Sequence, residues 1–254
     1  MQSHCGYIIR IVLPNVRLNR LARRSMQHLA IIMDGNRRWA KKRLLKPFVG
    51  HREGTKAIEH AIRFCVKNSI PYLSLFALSL ENLQHRSQAE QNYLFRLISD
   101  NAHSHVSDFV KEEISIRFLG DYQLFPDKVR ASIQYIEDIT KNLQKLRLNI
   151  LFCYGARQEI IYGIKSIIKK IKLGLLSEEE VTHSLFERHL WTHGIPEPDL
   201  IIRTGGRKRL SNFLLYQAAY SELFFLDCLW PDLTEEHLFT ALTAFQTSQR
   251  NFGV

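Results

Sequence analysis

The sequence predicts an α/β fold: a single domain with a central, mostly parallel sheet of about six strands and helices on both faces. Short apolar runs alternate with longer stretches of helical periodicity along most of the chain. Each apolar run ends at polar or glycine residues typical of turns, and the runs are too apolar for strands with a solvated face. Alternating strands and helices of this kind are typical of parallel sheets.

The predicted strands are the short apolar runs. They are Leu29–Met33, Ile70–Leu78, Ile114–Leu119, Leu146–Cys153, Leu200–Ile202 and Leu223–Leu226. The predicted helices lie between them. They are Gly54–Asn68, Gln88–Lys111, Pro126–Asn142, Gln158–Leu173, Asn212–Tyr220 and Thr234–Arg250. In the first of these helices, Ile58, Ala61, Ile62 and Cys65 recur at helical spacing.

Composition fits one large domain, because 254 residues with 45% apolar side chains can bury a substantial core. No run of ~20 uncharged apolar residues occurs, so we expect no transmembrane helix. The cysteines, Cys5, Cys65, Cys153 and Cys228, are scattered and form no CxxC pair. This pattern indicates free thiols in a reducing cytosol, and we expect a cytoplasmic protein.

The basic residues divide the chain near residue 26. Five arginines and no acid fall within residues 1–27, and they account for half of the formal net charge of +10. We therefore separate residues 1–25, a basic N-terminal extension, from a catalytic domain over 26–254. The extension is interpreted as a disordered membrane-surface tail, a targeting peptide or a mis-assigned start, and a chain starting at Met26 is expected to be active. The remaining charge suits anionic ligands, and no nucleic-acid-binding signature accompanies it.

Polar residues follow the predicted strand ends. Ligands of open parallel sheets bind beyond the carboxyl ends of the strands. Asp34, Ser79, Glu81, Arg157 and Arg203 all follow such ends, so we expect them to gather at one edge of the sheet.

The segment 34–39, Asp-Gly-Asn-Arg-Arg-Trp, has the composition of a phosphate site. Gly35 allows close approach to the backbone, a helix start offers free N–H groups, and Arg37 and Arg38 add positive charge. Asp34 would repel a phosphate unless a cation bridges them, which indicates Mg²⁺. The alternative is a type I turn in which Asp34 caps the helix.

The segment 203–212 is a second candidate phosphate site. Arg203, Arg207, Lys208 and Arg209 concentrate charge around two glycines, and Ser211 adds a hydroxyl. The alternative is a solvated basic loop.

Other candidates are weaker from the sequence alone. Glu222 is interpreted as a second metal-facing carboxylate or as a satisfied strand-edge residue, and His51 as a phosphate donor or a neighbour of a helix cap. Ser79, Glu81 and Asn82 form either a substrate-orienting loop or a capped helix start.

Taken in order, these segments resemble the cis-prenyltransferase family, best known from undecaprenyl diphosphate synthase. The resemblance covers essentially all of residues 28–254 and none of 1–25. The matching pieces are 28–40 (His-Leu-Ala-Ile-Ile-Met-Asp-Gly-Asn-Arg-Arg-Trp-Ala), 50–51, 79–82, 154–157, 202–206, 209–215, 219–223 and 229–232. The DDxxD motifs of trans-type synthases do not occur in the chain.

The resemblance implies that isopentenyl diphosphate attacks an allylic prenyl diphosphate, expected to be farnesyl diphosphate, to build a polyprenyl diphosphate such as undecaprenyl diphosphate. It assigns Asp34 and Asn82 to catalysis, with Mg²⁺ held by Asp34 and Glu222. The implied substrate-binding residues are Gly35, Asn36, Arg37, Arg38, Trp39, His51, Ser79, Glu81, Arg203, Arg209 and Ser211. An apolar tunnel is expected among Leu78, Leu94, Leu97, Ile98, Phe118, Leu148 and Ile150.

The resemblance also implies a homodimer, transient contact with the inner membrane face for product release, and no nucleic-acid partner. A catalytically silent partner subunit is the alternative function.

Three positions depart from the family pattern: Pro47 replaces an arginine, 83–86 (Leu-Gln-His-Arg) replaces Trp-x-Arg-Pro, and Arg207 replaces a glutamate. These departures bear on diphosphate contacts and loop geometry, but they leave Asp34 and Arg203 in place.

Overall fold

A computed structural model of the protein describes residues 25–248, apart from the side chains of residues 101 and 102. The predictions for residues 1–24, and for the end of the last helix beyond 248, lie outside this range. Among the described residues, no helix combines the length and apolar character needed to cross a bilayer.

The sheet confirms the predicted fold class. The strands are β1 (His28–Ile32), β2 (Tyr72–Ser79), β3 (Ile114–Leu119), β4 (Leu146–Tyr154), β5 (Leu200–Arg203) and β6 (Glu222–Phe225). They form one sheet in the order β3-β4-β2-β1-β5-β6. Every pair of neighbouring strands is parallel, so the sheet has one carboxyl edge and one amino edge.

Helices connect the strands. They are α1 (Asn36–Lys42), α2 (Pro47–Lys67), α3 (Leu80–His85), α4 (Gln88–Ser104), α5 (Val106–Lys111), α6 (Asp127–Thr140), α7 (Ala156–Lys172), α8 (His183–Glu187) and α9 (Glu235–Thr247). Short 3-10 turns occur at Tyr122–Leu124, Glu178–Glu180 and Trp230–Asp232. The predicted helix Gln88–Lys111 is therefore two helices, α4 and α5, separated at His105.

The predicted helix Asn212–Tyr220 is wrong, because this segment consists of turns. Its backbone is left-handed at Ser211, Asn212 and Leu214, with φ of 53°, 63° and 44°. An α-helix needs φ near −60°, so these residues cannot start one. The turns instead place Phe213 and Leu214 in a buried cluster on one face of the sheet.

Helix α2 begins at Pro47, seven residues before the predicted start at Gly54. Pro47 fits the first turn of a helix, where its missing N–H costs nothing. Gly50 and Gly54 let α2 approach α1 closely, since a Cβ on Gly50 would lie 2.1 Å from the Asn36 carbonyl oxygen. His51 is therefore inside α2 rather than just before a helix.

The amino edge of the sheet holds a buried polar network around His28. Its Nε2 lies 2.7 Å from Ser74 Oγ and its Nδ1 lies 2.7 Å from the Pro196 carbonyl oxygen. Asn149 donates to the same Ser74 hydroxyl, and Asp199 accepts from the His28 backbone N–H. Burial lowers the pKa of His28 to about 4, so its imidazole is neutral at physiological pH.

Candidate active site

Asp34 stands just beyond the carboxyl end of β1, where its backbone is fixed on both sides. Its N–H and carbonyl oxygen lie 3.0 and 2.7 Å from Thr204 Oγ1, and the Trp230 N–H donates to the same carbonyl at 3.0 Å. The register of β1 and β5, in which Ile32 is opposite Arg203, brings these segments together. The Asp34 carboxylate is thus presented at a defined place on the carboxyl edge.

Two guanidinium groups contact that carboxylate. Arg203 Nη2 lies 2.9 Å from Oδ2, and Arg38 Nη2 lies 3.1 Å from Oδ1. The Arg203 side chain is only 5% exposed, whereas Arg38 is 43% exposed. The two candidate phosphate segments, 34–39 and 203–212, therefore meet directly at Asp34.

Arg203 also organises its own loop. Its Nη1 donates to Ser211 Oγ at 2.7 Å and to the Arg209 carbonyl oxygen, while its Nε is buried without a partner among the described residues. A buried and unpaired donor is costly, so an Nε–H in this position is suited to an arriving anion. The side chain of Arg209 is exposed beside it.

Gly205 makes the close approach of the two loops possible. Its φ is +83°, and a Cβ there would lie 2.3 Å from Arg38 Nη2. Arg38 Nη1 donates to the Gly205 carbonyl oxygen at 2.8 Å. The left-handed backbone angle favours glycine at this position, and a larger residue would also displace the Arg38 guanidinium.

Helix α1 starts at this site without a capping side chain from the described residues. Its N-cap is Gly35, with φ of 119°, rather than Asp34, so the alternative of Asp34 as a cap is wrong. A helix start whose first-turn N–H groups lack side-chain caps can bind an anion, and Arg37 and Arg38 are exposed in that turn. Asn36 Oδ1 is buried and unpaired among the described residues.

A second cationic corner lies beside α1, around His51. His51 Nε2 is 3.3 Å from Glu90 Oε1, and Arg86 Nε is 3.6 Å from the same oxygen. All three side chains are nearly buried, and Arg86 Nη1 has no partner among the described residues. Burial, assisted by Arg86 and Arg37, lowers the pKa of His51 to about 4, which makes it a neutral imidazole. Burial also lowers the pKa of Arg86.

Arg86 is the functional candidate that the sequence did not single out. It falls within segment 83–86, which departs from the family pattern. Arg86 is four residues before Glu90, a spacing that allows an ion pair on a helix, and this was the feature by which the sequence could have identified it. The structure places its guanidinium near His51, where both side chains contact the same oxygen of Glu90.

The loop after β2 is a capped helix start. Ser79 Oγ accepts from the Asn82 N–H at 3.0 Å and caps α3. Glu81 Oε1 accepts from Asn212 Nδ2 at 2.7 Å, and the Arg157 N–H donates to Asn212 Oδ1 at 2.9 Å. These contacts tie α3, α7 and the 203–212 loop into one rim.

Two predicted site residues have other neighbours. Trp39 Nε1 donates to Asp232 Oδ1 at 2.7 Å, and Arg43 stacks over its ring at 4.0 Å from the centroid. Glu222 opens β6 opposite Leu200, at the amino edge of the sheet, and accepts from Ser248 Oγ. Within one chain, Glu222 therefore lies at the opposite edge of the sheet from Asp34, and its role as a second metal ligand stays a prediction.

An apolar cavity of about 740 Å³ begins at this edge and runs under α2 and α4. Asn36, His51 and Trp230 line its end near the start of α1, and Lys67 and Lys111 lie toward the amino edge. Most of the predicted tunnel residues line it: Leu94, Leu97, Ile98, Phe118, Leu148 and Ile150. Leu78 does not line it and instead packs within the hydrophobic core.

Comparison with known proteins agrees with this arrangement. The family model for undecaprenyl diphosphate synthase matches residues 32–253. The chain belongs to the undecaprenyl diphosphate synthase family. It is 40% identical over 228 residues to a farnesyl-diphosphate-specific ditrans,polycis-undecaprenyl-diphosphate synthase from Coxiella burnetii, covering 90% of this chain and 96% of that protein. It is also 40% identical over 228 residues to an isoprenyl transferase from Bacillus subtilis, covering 89% and 87% of the two chains.

Solved structures place the fold in the same prenyltransferase family. Lavandulyl diphosphate synthase from Lavandula x intermedia, in complex with dimethylallyl diphosphate, superposes with a TM-score of 0.86 at 33% identity, covering 91% of this chain and 99% of that one. A probable undecaprenyl diphosphate synthase from Campylobacter jejuni gives a TM-score of 0.74 at 32% identity, covering 91% and 100%. Membership of the family thus rests on both sequence and structure.

Proposed function

We propose that this protein is a cis-prenyltransferase that condenses isopentenyl diphosphate onto an allylic diphosphate, with farnesyl diphosphate as the starter. The product is a long-chain polyprenyl diphosphate such as undecaprenyl diphosphate, a lipid carrier precursor for cell-wall glycans. One observation carries the proposal: two cationic loops meet at the Asp34 carboxylate beside an apolar cavity of about 740 Å³.

The α1 corner is assigned to the allylic diphosphate. The first-turn N–H groups of α1, Arg37, Arg38 and the buried Arg86 stabilise negative charge as pyrophosphate leaves. Neutral His51 donates a hydrogen bond without adding charge. The allylic hydrocarbon then lies in the cavity, which excludes water from the reacting carbon.

The 203–212 loop is assigned to isopentenyl diphosphate. Arg203, exposed Arg209 and Ser211 supply donors, and Ser79 and Asn82 fix the rim at which the reacting ends meet. The double bond of isopentenyl diphosphate attacks the allylic carbon, the bond from that carbon to the diphosphate oxygen breaks, and a proton is lost. Each cycle adds a five-carbon unit with a cis double bond.

Asp34 fits a Mg²⁺ site that the substrates complete. No group of three or more His, Cys, Asp or Glu side chains in the described part of the chain forms a metal cage. One carboxylate plus substrate phosphates is the donor set that Mg²⁺ favours. Bound there, Mg²⁺ would neutralise charge on the leaving diphosphate.

A homodimer is proposed through the β6 edge. Leu215, Tyr220 and Leu223 are 37, 65 and 46% exposed along this side. An open, apolar strand edge favours association with a partner. Sedimentation should show a dimer that Leu223→Arg dissociates; a monomeric wild-type protein would contradict the assignment.

We place the protein in the cytoplasm. Its product is apolar, so we also propose transient contact with the inner membrane face for product release.

A silent partner subunit is the competing function. Asp34, Arg38, Arg203 and Ser211 are present and in contact, which favours an active enzyme.

A direct assay separates these functions. Purified protein is mixed with farnesyl diphosphate, labelled isopentenyl diphosphate and Mg²⁺, and butanol-extractable label is measured. The proposal predicts product that requires Mg²⁺. Folded wild-type protein that forms no product would reject it in favour of the silent subunit.

A further inference from the structure

Both oxygens of the Asp34 carboxylate contact guanidinium groups. Oδ2 contacts Arg203 Nη2 at 2.9 Å, and Oδ1 contacts Arg38 Nη2 at 3.1 Å. A divalent cation that binds Asp34 must therefore compete with two positive charges within about 4 Å, a distance at which charge repulsion is substantial.

The two arginines differ in their freedom to leave. Arg203 is 5% exposed and is held by Ser211 Oγ and the Arg209 carbonyl oxygen as well as by Asp34. Arg38 is 43% exposed, and within residues 25–248 the polar partners of its guanidinium are the Asp34 carboxylate and the Gly205 carbonyl oxygen. Arg38 is therefore the side chain that can exchange partners.

We propose that Arg38 gates the metal: it holds Asp34 Oδ1 in the substrate-free protein and turns to the substrate diphosphate, which frees the carboxylate for a divalent cation. This inference rests on the proposed function, since it concerns the same site. A diphosphate offers Arg38 more negative charge and a better bidentate geometry than one carboxylate oxygen.

The move of Arg38 from Asp34 to the diphosphate couples diphosphate binding to metal binding. Diphosphate removes a competing cation from Asp34 and brings phosphate oxygens to the metal, so it raises metal affinity. By reciprocity of linked binding, the metal must raise diphosphate affinity by the same factor. Free divalent cation is thus kept off the site until a substrate is present.

The chain offers a matched control. Arg43 is also on the α1 segment and has the same 43% side-chain exposure as Arg38. Its partners are Asp232 and the Trp39 ring, and neither is part of the Asp34 contact. Arg43→Gln removes the same charge as Arg38→Gln from the same segment, away from the carboxylate.

The test measures Mn²⁺ binding by electron paramagnetic resonance, first without diphosphate. We expect weak binding to wild type and to Arg43→Gln, and binding about five- to tenfold tighter to Arg38→Gln. The double variant Asp34→Asn/Arg38→Gln should lose this gain. Arg38→Lys, which keeps the charge, should bind Mn²⁺ as weakly as wild type.

Inorganic pyrophosphate is then added, with Mn²⁺–pyrophosphate mixtures without protein as the baseline. Wild type should gain more Mn²⁺ affinity than Arg38→Gln does. Equal Mn²⁺ affinity of wild type and Arg38→Gln without pyrophosphate would overturn the gate. It would also be overturned if, without pyrophosphate, Arg43→Gln bound Mn²⁺ as tightly as Arg38→Gln does. Because binding is measured without turnover, these outcomes are separate from a failure of wild type to form prenyl product.

Discussion

Each edge of the sheet has a buried histidine and an aspartate that makes polar contacts, but the two edges satisfy these groups differently. At the amino edge, both ring nitrogens of His28 have partners, and Asp199 accepts from backbone N–H groups. At the carboxyl edge, His51 lies beside an arginine with an unpaired nitrogen, and Asp34 holds two arginines of which one is half exposed.

This difference separates a structural network from a ligand site. The pKa of each histidine is lowered to about 4, so the titration shift alone does not tell the two edges apart. The hydrogen bonds distinguish the two edges. A buried donor without a partner is energetically costly unless a ligand accepts its hydrogen bond. Arg86 Nη1 and Arg203 Nε are such donors, and both are at the carboxyl edge.

The largest expected effect is at Asp34. Asp34→Asn should lower kcat/KM by about 10³-fold, because it removes the charge that holds the metal. Arg203 keeps Ser211 and the Arg209 carbonyl as partners, so the free energy of unfolding should change by less than about 2 kcal/mol. Steady-state kinetics measures kcat/KM, and urea unfolding measures the free energy of unfolding. Near-normal turnover of Asp34→Asn would show that Asp34 has no part in the mechanism.

Acidification should expose the amino-edge network. The pKa of His28 is about 4 in the folded protein against 6.5 in the unfolded chain, so its neutral form is stabilising above pH 6.5. That contribution is lost as pH falls from 6.5 toward 4, and the free energy of unfolding should drop by about 2 to 3 kcal/mol at pH near 4.5.

Urea unfolding of wild type and His28→Gln checks this contribution. The variant should be less stable at neutral pH and lose less stability on acidification, while His183→Gln, at an exposed position, should follow wild type. Equal acid sensitivity in His28→Gln and wild type would show that other groups control it.

A smaller effect should separate the two diphosphate corners. Arg86→Met should raise the KM for the allylic substrate by about ten- to a hundredfold, and Arg209→Gln should raise that for isopentenyl diphosphate by about tenfold. Each change should leave the other KM within about twofold. The reverse pattern would exchange the assigned pockets.

The sequence predicted the sheet well because β1, β2, β4 and β5 are almost wholly apolar and end at turn residues. It also placed Asp34 and Arg203 at a common edge, which follows from parallel strands. The turns at 212–220 escaped prediction because their apolar residues repeat at helical spacing, whereas left-handed angles at Ser211, Asn212 and Leu214 are a tertiary property.

Side-chain partners were harder to predict than strand ends. The sequence offers Glu222 as a metal-facing carboxylate, and the resemblance supports that role, but its position depends on where β6 begins in the register with β5, and that register puts it at the amino edge. Arg86 was overlooked because its environment depends on the packing of α4 against His51 in α2.

The central claim is that two diphosphate pockets share one divalent ion at Asp34. The most direct measurement is a crystal structure with Mg²⁺, isopentenyl diphosphate and an unreactive thio-analogue of farnesyl diphosphate. The account predicts one diphosphate at Gly35–Arg38 and Arg86, the other at Arg203–Ser211, metal on Asp34 and the hydrocarbon in the cavity. Diphosphates bound elsewhere, with Asp34 still paired to both arginines, would contradict it.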